Sequence, residues 1–104
     1  MVKNTGKIQL DLNSSAFQRQ LFRLEKDQQR AVLNTLQKLS EMTWEQVYQD
    51  RGLHWEAIVS RSGGEGERLY SIRMGKGFRA VVSRDGNLLR LSSLHPDHDS
   101  AYKP

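Results

Sequence analysis

The feature that most constrains the fold lies in the second half of the chain, where three strand-like segments follow one another with almost nothing between them. RLYSIRM (68–74), GFRAVVS (77–83) and NLLRLSSL (87–94) are separated only by Gly75-Lys76 and by a link that ends in Asp85-Gly86. Connections this short join antiparallel neighbours, because a parallel pair needs a crossover of a dozen or more residues. Asp-Gly is also a favoured hairpin dipeptide, since it tolerates positive φ. The three segments therefore predict an antiparallel meander. Alternation places Tyr70, Ile72 and Met74, then Phe78, Ala80 and Val82, on one face, with Ser71, Arg73, Arg79 and Val81 on the other.

An apolar sheet face needs a cover, and the first half of the chain supplies it. KIQLDL (7–12) has the period of a half-buried strand, with Ile8, Leu10 and Leu12 alternating with polar residues. Asn13 and Ser14 offer N-caps for a helix in which Phe17, Leu21 and Leu24 recur at helical spacing. Lys26 and Asp27 mark a break, with Asp27 capping a second helix that carries Ala31, Val32, Leu36 and Leu39 on one face. A helix hairpin results, one long helix being the alternative. Thr43-Trp44-Glu45-Gln46 has capping-box spacing and predicts a short third helix to Asp50, ended by Gly52. LHWEAIV (53–59) reads as a strand or extended edge, and SRSGGEGE (60–67) as a glycine-rich loop. At 104 residues the expectation is one domain, 1–104, with one modest core. Its class is α+β, a helix hairpin packed on a mainly antiparallel sheet of four to five strands, with KIQLDL pairing against the meander.

Composition narrows the chemistry. The absence of cysteine excludes disulfides and thiolate metal sites. No run approaches the roughly 20 apolar residues that span a bilayer, and residues 1–6 lack a signal-peptide core. A soluble, cytoplasmic protein with no membrane partner is the expectation. The formal charge is +4, and its distribution says more than its size: Arg68, Arg73, Lys76, Arg79, Arg84 and Arg90 face only Asp85 between positions 68 and 90. Arg73 and Arg79 on neighbouring strands, with Lys76 in the turn between them, fit either a solvated sheet face or a compact phosphate-binding surface. Arg90 on the third meander strand is a further candidate phosphate contact.

The stretch SLHPDHDSAY (93–102) is chemically dense. Pro96 suits the first position of a short helix, and Asp97 and Asp99 suit its positive N-terminal turn. In such a helix His95, His98, Asp99 and Tyr102 fall at offsets of three, four and seven, on one face, with Asp97 pointing elsewhere. A metal site would draw on His95, His98 and a carboxylate, a weak pattern without a second ligand cluster, and His54 is isolated. A purely structural role is the competing reading, with His95 capping the helix and Tyr102 plugging into the sheet. One chemistry uses both the basic sheet and this stripe. Metal-free RNA cleavage needs a base for the 2′-hydroxyl, an acid for the departing 5′-oxygen, and cations for the charge that builds on the phosphate. Histidine suits either proton role. His95 is the preferred base with Asp99 orienting it, His98 the reserve, and Tyr102 a phosphate contact or leaving-group acid.

From the helix hairpin through LYSIRMGKGFRAVVSRDGNLLRLSSLHPDHDSAY, the chain resembles the RelE/ParE superfamily of bacterial toxin-antitoxin toxins. The resemblance rests on a strand with basic residues, a short turn, the aromatic-Arg pair Phe78-Arg79, a further hairpin and a terminal segment ending near a tyrosine. A branch with His-Ala-Asp-Tyr-Asp-like endings is most similar, matched here by His95, Pro96, Asp97, His98 and Asp99. The resemblance implies a ribosome-dependent mRNA endonuclease that needs no metal and no small-molecule cofactor, with a cognate antitoxin protein, the ribosome and mRNA as partners. It makes Arg73 a basic position of the first meander strand, Arg79 the phosphate-contacting arginine and Tyr102 the C-terminal catalytic tyrosine. Two positions depart from the pattern: Ser71 stands where the nucleases have lysine, and Pro96 near where they have a second arginine. These departures keep open a ParE-like inhibitor of DNA gyrase and a catalytically silent RNA- or protein-binding domain.

Overall fold

The computed structural model describes residues 6–62 and 68–96, apart from the side chains of residues 59–62. The meander forms as its spacing requires, from β3 (Arg68–Gly75), β4 (Phe78–Asp85) and β5 (Leu88–His95). Its turns are Lys76-Gly77 and Gly86-Asn87, closed by the pairs Gly75↔Phe78 and Asp85↔Leu88. Each lies one residue or so later than the sequence suggests, because the residue that adopts positive φ is Gly77 (66°) in one and Gly86 (60°) in the other.

Two further strands complete a mixed five-stranded sheet in the order β1-β5-β4-β3-β2. β1 (Gln9–Asp11) pairs in parallel with Leu88–Arg90 of β5 and is shorter than KIQLDL. Its upstream neighbour Ile8 gives its N–H to the Met42 carbonyl instead of to the sheet, at 2.9 Å. β2 (Glu56–Ser62) pairs antiparallel with β3 and runs three residues into the stretch read as loop.

The helices cover one face of this sheet. Ser14 caps α1 (Ser15–Arg23), its hydroxyl oxygen accepting from the Phe17 N–H. α2 (Lys26–Ser40) starts earlier than expected: Glu25, not Asp27, is its N-cap, and the Gln28 side chain accepts from the Glu25 N–H at 3.3 Å. Reciprocal satisfaction of orphan amides outweighs the better intrinsic cap that Asp27 offers. α3 (Trp44–Gln49) carries the Thr43/Gln46 capping box that its sequence predicts. Phe17, Val32, Leu36 and Leu39 of the helices join Ile72, Met74, Phe78, Ala80 and Val82 of the sheet in one buried cluster. Among the described residues no helix is long and apolar enough to cross a membrane.

One irregularity decides which way the end of β5 faces. Val82 pairs with Leu91, but its neighbour Val81 pairs with Ser93, so Ser92 is an extra residue in β5. Such a bulge moves every later side chain to the opposite face. Leu91 and Leu94, three apart, both point into the core, and Ser93 and His95 are turned to the other side. Beyond the short β1 this edge of β5 has no strand beside it among the described residues, and α1 takes that place. The Ser14 hydroxyl donates to the Ser92 carbonyl at 3.0 Å, and the Gln20 side chain accepts from the Leu94 N–H at 2.8 Å.

Candidate functional site

The sheet face away from the helices carries the candidate chemistry. Cross-strand register places Arg73 opposite Arg79 and Arg79 opposite His95, so three adjacent strands present these side chains in one row. Directly opposed residues of antiparallel strands have Cα atoms about 4.5–5.5 Å apart. The next row on the same face is Glu56, Ser71, Val81 and Ser93.

Arg79 is the centre of this arrangement: it lies on the face away from Phe78, Ala80 and Val82, as alternation predicts, but it is buried there and not solvated. Only 2% of the residue is exposed. Its Nε donates to Ser71 Oγ at 3.0 Å and its Nη2 to the His54 carbonyl at 2.6 Å. Two causes account for the burial. Ile58, Leu69 and Val81 make a second apolar cluster on this face, so it is not a bare solvated surface. The chain entering β2 also runs along the β3 edge here, with the Leu53 carbonyl accepting from the Arg73 N–H at 2.7 Å. A buried cation is normally matched by a carboxylate, yet among the described residues Arg79 has none.

His54 holds the carbonyl that meets Arg79, in a left-handed conformation with φ 51°. A histidine tolerates this region better than most side chains, at a cost of order 1–3 kcal/mol. Its exposed imidazole lies 3.6 Å from the Glu56 carboxylate, Nε2 to Oε2. By sequence His54 reads as isolated, although Glu56 follows two residues later; the docking of the 53–56 segment along the β3 edge brings both to this site. Four aromatic rings hold that segment in place. Trp55 stacks on Tyr70 at 4.6 Å between centroids and meets Trp44 and Tyr48 edge-on at 5.6 and 5.3 Å. The Arg84 guanidinium lies 4.4 Å over Trp44 and donates to the Tyr48 hydroxyl.

His95 ends β5 and therefore belongs to the strand, not to a terminal helix; its Nε2 is 2.8 Å from Ser93 Oγ. The β5 bulge and pairing with Arg79, rather than helical spacing, determine its position. The helix expected after Pro96, with His98, Asp99 and Tyr102, lies outside the described residues. Arg73 is exposed and has no hydrogen bond or ion pair from its side chain among the described residues, and Lys76 is exposed in the adjoining turn. Arg90 is elsewhere. It pairs with Ser83, four residues or about 13 Å along β4 from Arg79. Asp11 and Asp85 compensate its charge at 3.2 and 3.0 Å. The Asp11 carboxyl is held below its usual range by the Asn13 backbone N–H first and by Arg90 next.

Among the described residues no three His, Asp or Glu side chains gather as a metal site would need. The face offers a buried guanidinium held by two neutral oxygens, an exposed guanidinium beside it, and an imidazole on each side. Such a set can hold a phosphodiester and move protons at its oxygens.

No protein-family model matches the chain, and no curated protein matches it. Among solved structures, a chain from the archaeal RelE-RelB complex of Pyrococcus horikoshii OT3 superposes with a TM-score of 0.62 at 18% identity, over 86% of this chain and 94% of that one. At that identity the likeness concerns the path of the backbone. A helix hairpin laid over a mixed five-stranded sheet whose centre is the β3-β4-β5 meander makes this a RelE-like fold.

Proposed function

We propose that this chain is the toxin of a toxin-antitoxin pair and that it stops translation by cutting mRNA on the ribosome, without a metal ion or other cofactor. The observation that carries the reading is Arg79: a guanidinium buried without a carboxylate partner among the described residues, opposite His95 and beside Arg73. Ser71 and the His54 carbonyl orient it before any ligand arrives, and a preorganised cation acts where charge develops in the transition state. The serine that departs from the nuclease pattern thus supports the arginine, and Arg73 and Lys76 supply exposed charge for the phosphate. In this reading His95 takes the proton of the 2′-hydroxyl as the oxygen attacks phosphorus. Tyr102 or His98 returns a proton to the departing 5′-oxygen. The crystallised RelE-RelB complex supports a separate antitoxin protein as a partner.

Induced expression without the antitoxin is expected to halt methionine incorporation before thymidine incorporation falls. Loss of DNA synthesis while translation continues would transfer the chain to the gyrase-inhibitor class. On purified programmed ribosomes, His95→Gln is expected to slow single-turnover cleavage by about a hundredfold, the lower range for losing a positioned acid or base, with ribosome binding retained. Wild-type rates in both His95→Gln and His98→Gln would remove histidine from the proton chemistry.

A further inference from the structure

Beside Arg73 the sheet edge opens into a cleft of about 210 Å³ that shares Arg73 with the row on the sheet face but includes neither Arg79 nor His95. Its walls are Thr35 and Lys38 of α2, Gly52 and Leu53 of the segment that leads into β2, and Arg73 to Gly75 of β3. The Thr35 hydroxyl donates to the Met74 carbonyl, and Lys38 and Arg73 are the cationic residues of the lining. Lys38 Nζ lies 2.9 Å from Asp50 Oδ2, and its side chain is 48% exposed. An ammonium has three donors, so the Asp50 contact leaves Lys38 able to bind a second anion. Gly52 keeps that approach open: a Cβ there would come within 3.2 Å of Asp50 Oδ1 and 3.8 Å of Lys38 Nζ. The cleft is smaller than the roughly 300–1,000 Å³ typical of small-molecule pockets, a size that suits one phosphate and its sugar.

We propose that the Lys38–Arg73 cleft is an anion subsite for a backbone phosphate next to the scissile one, and that Lys38 is a positioning residue that steers the strand across Arg79. The inference rests on the RNA-cleavage reading. Asp50 holds Lys38 over the cleft, and its carboxylate opposes the incoming phosphate, so the two partners of one ion pair have opposite effects on RNA binding.

That opposition supplies the test. Lys38→Gln and Asp50→Asn both abolish the ion pair, and the side-chain amide oxygen that Asp50→Asn introduces can still accept from the Leu53 N–H, as the Asp50 carboxylate does at 2.9 Å. Binding is measured as a function of salt on ribosomes programmed with mRNA that carries a 2′-deoxy residue at the cut site. Lys38→Gln is expected to weaken binding about fivefold at moderate salt and to lower the slope of log affinity against log salt by about one contact. Asp50→Asn is expected to tighten binding. Equal shifts in the same direction, or no shift, would reduce the pair to a structural role and sink the proposal. A neutral methylphosphonate next to the cut site should erase the Lys38→Gln penalty; a penalty that survives it at each neighbouring position assigns Lys38 to ribosomal RNA and overturns the subsite. Failure of the wild-type protein to cleave unmodified mRNA on ribosomes would overturn the RNA-cleavage reading itself, whereas normal cleavage with wild-type binding by Lys38→Gln overturns the cleft alone.

Discussion

Arg79→Met is expected to lower mRNA cleavage about a thousandfold, on the order of 4 kcal/mol of transition-state stabilisation, with little loss of fold. The expectation of an intact fold comes from the partners of Arg79. It is 2% exposed, and neither of its two described acceptors is a carboxylate, so removing it strands no buried anion among the described residues. Replacing buried charge by an apolar side chain of similar volume is often neutral or stabilising, because the desolvation penalty of the cation disappears. Against this stand the His54 carbonyl and Ser71 hydroxyl, which lose a donor at a cost of about 1–3 kcal/mol each if they find no replacement. The hydroxyl can rotate to a new partner, and the carbonyl sits at the rim of the sheet. Melting temperature and single-turnover cleavage, measured together, separate the roles. A melting temperature within about 10 °C of wild type with cleavage lost marks a contact to the reacting phosphate, since about 4–8 °C corresponds to 1 kcal/mol at this size. Cleavage at the wild-type rate would make Arg79 a structural clamp for His54. Arg79→Lys is not expected to restore activity, because one ammonium cannot satisfy Ser71 and His54 in a fixed fork and still face a phosphate.

Phe17→Ala is expected to destabilise the protein by about 3–5 kcal/mol, a large share of the roughly 5–15 kcal/mol that holds a domain of this size together. Phe17 is 1% exposed and joins α1 to the main core. Its removal leaves a cavity that the surrounding sheet cannot close. The consequence reaches the functional face, because α1 and its cap carry Gln20 and Ser14, which hold β5 at the bulge and two residues beyond it. A loosened α1 therefore frees the segment that aims His95. Equilibrium denaturation gives the first quantity, and a loss below about 1 kcal/mol would show that α1 does not anchor this core. Cleavage assayed well below the lowered melting temperature gives the second, with a fall beyond the unfolded fraction expected.

The stability of the 50–55 segment depends on pH in a direction that the Lys38–Asp50 pair sets. The Lys38 hydrogen bond, with the Leu53 N–H, holds the Asp50 carboxyl below the usual aspartate value of about 3.9. A depressed carboxylate contributes stability that is complete above the unfolded value and is lost as pH falls through the folded one. The ion pair is thus intact at neutral pH, where the cleft would meet RNA.

What the sequence determined by itself was whatever local chemistry decides: the meander, from two links too short for anything but antiparallel neighbours; the Ser14 and Thr43 caps; and the apolar stripes of α1 and α2. It also put Arg73 and Arg79 on one face, because strand alternation has a period of two, and the two residues pair directly across the hairpin. Tertiary structure decided the rest. The parallel docking of β1 on β5 joins segments nearly 80 residues apart, as Gln9↔Leu88 shows, and no local signal encodes such a pairing. The bulge at Ser92 could be suspected from Leu91 and Leu94 standing three apart in a strand, but only the pairing of both with core residues of β4 turns His95 to the Arg79 side. The burial of Arg79 and the recruitment of His54 depend on a segment at the β3 edge whose place is set by the Trp55–Tyr70 stack and by the hydrogen bond from Arg73 to Leu53. Alternation gives the direction of a side chain relative to its own strand; what covers that face is contributed by residues far away in the chain, and their arrival is a property of the packed whole.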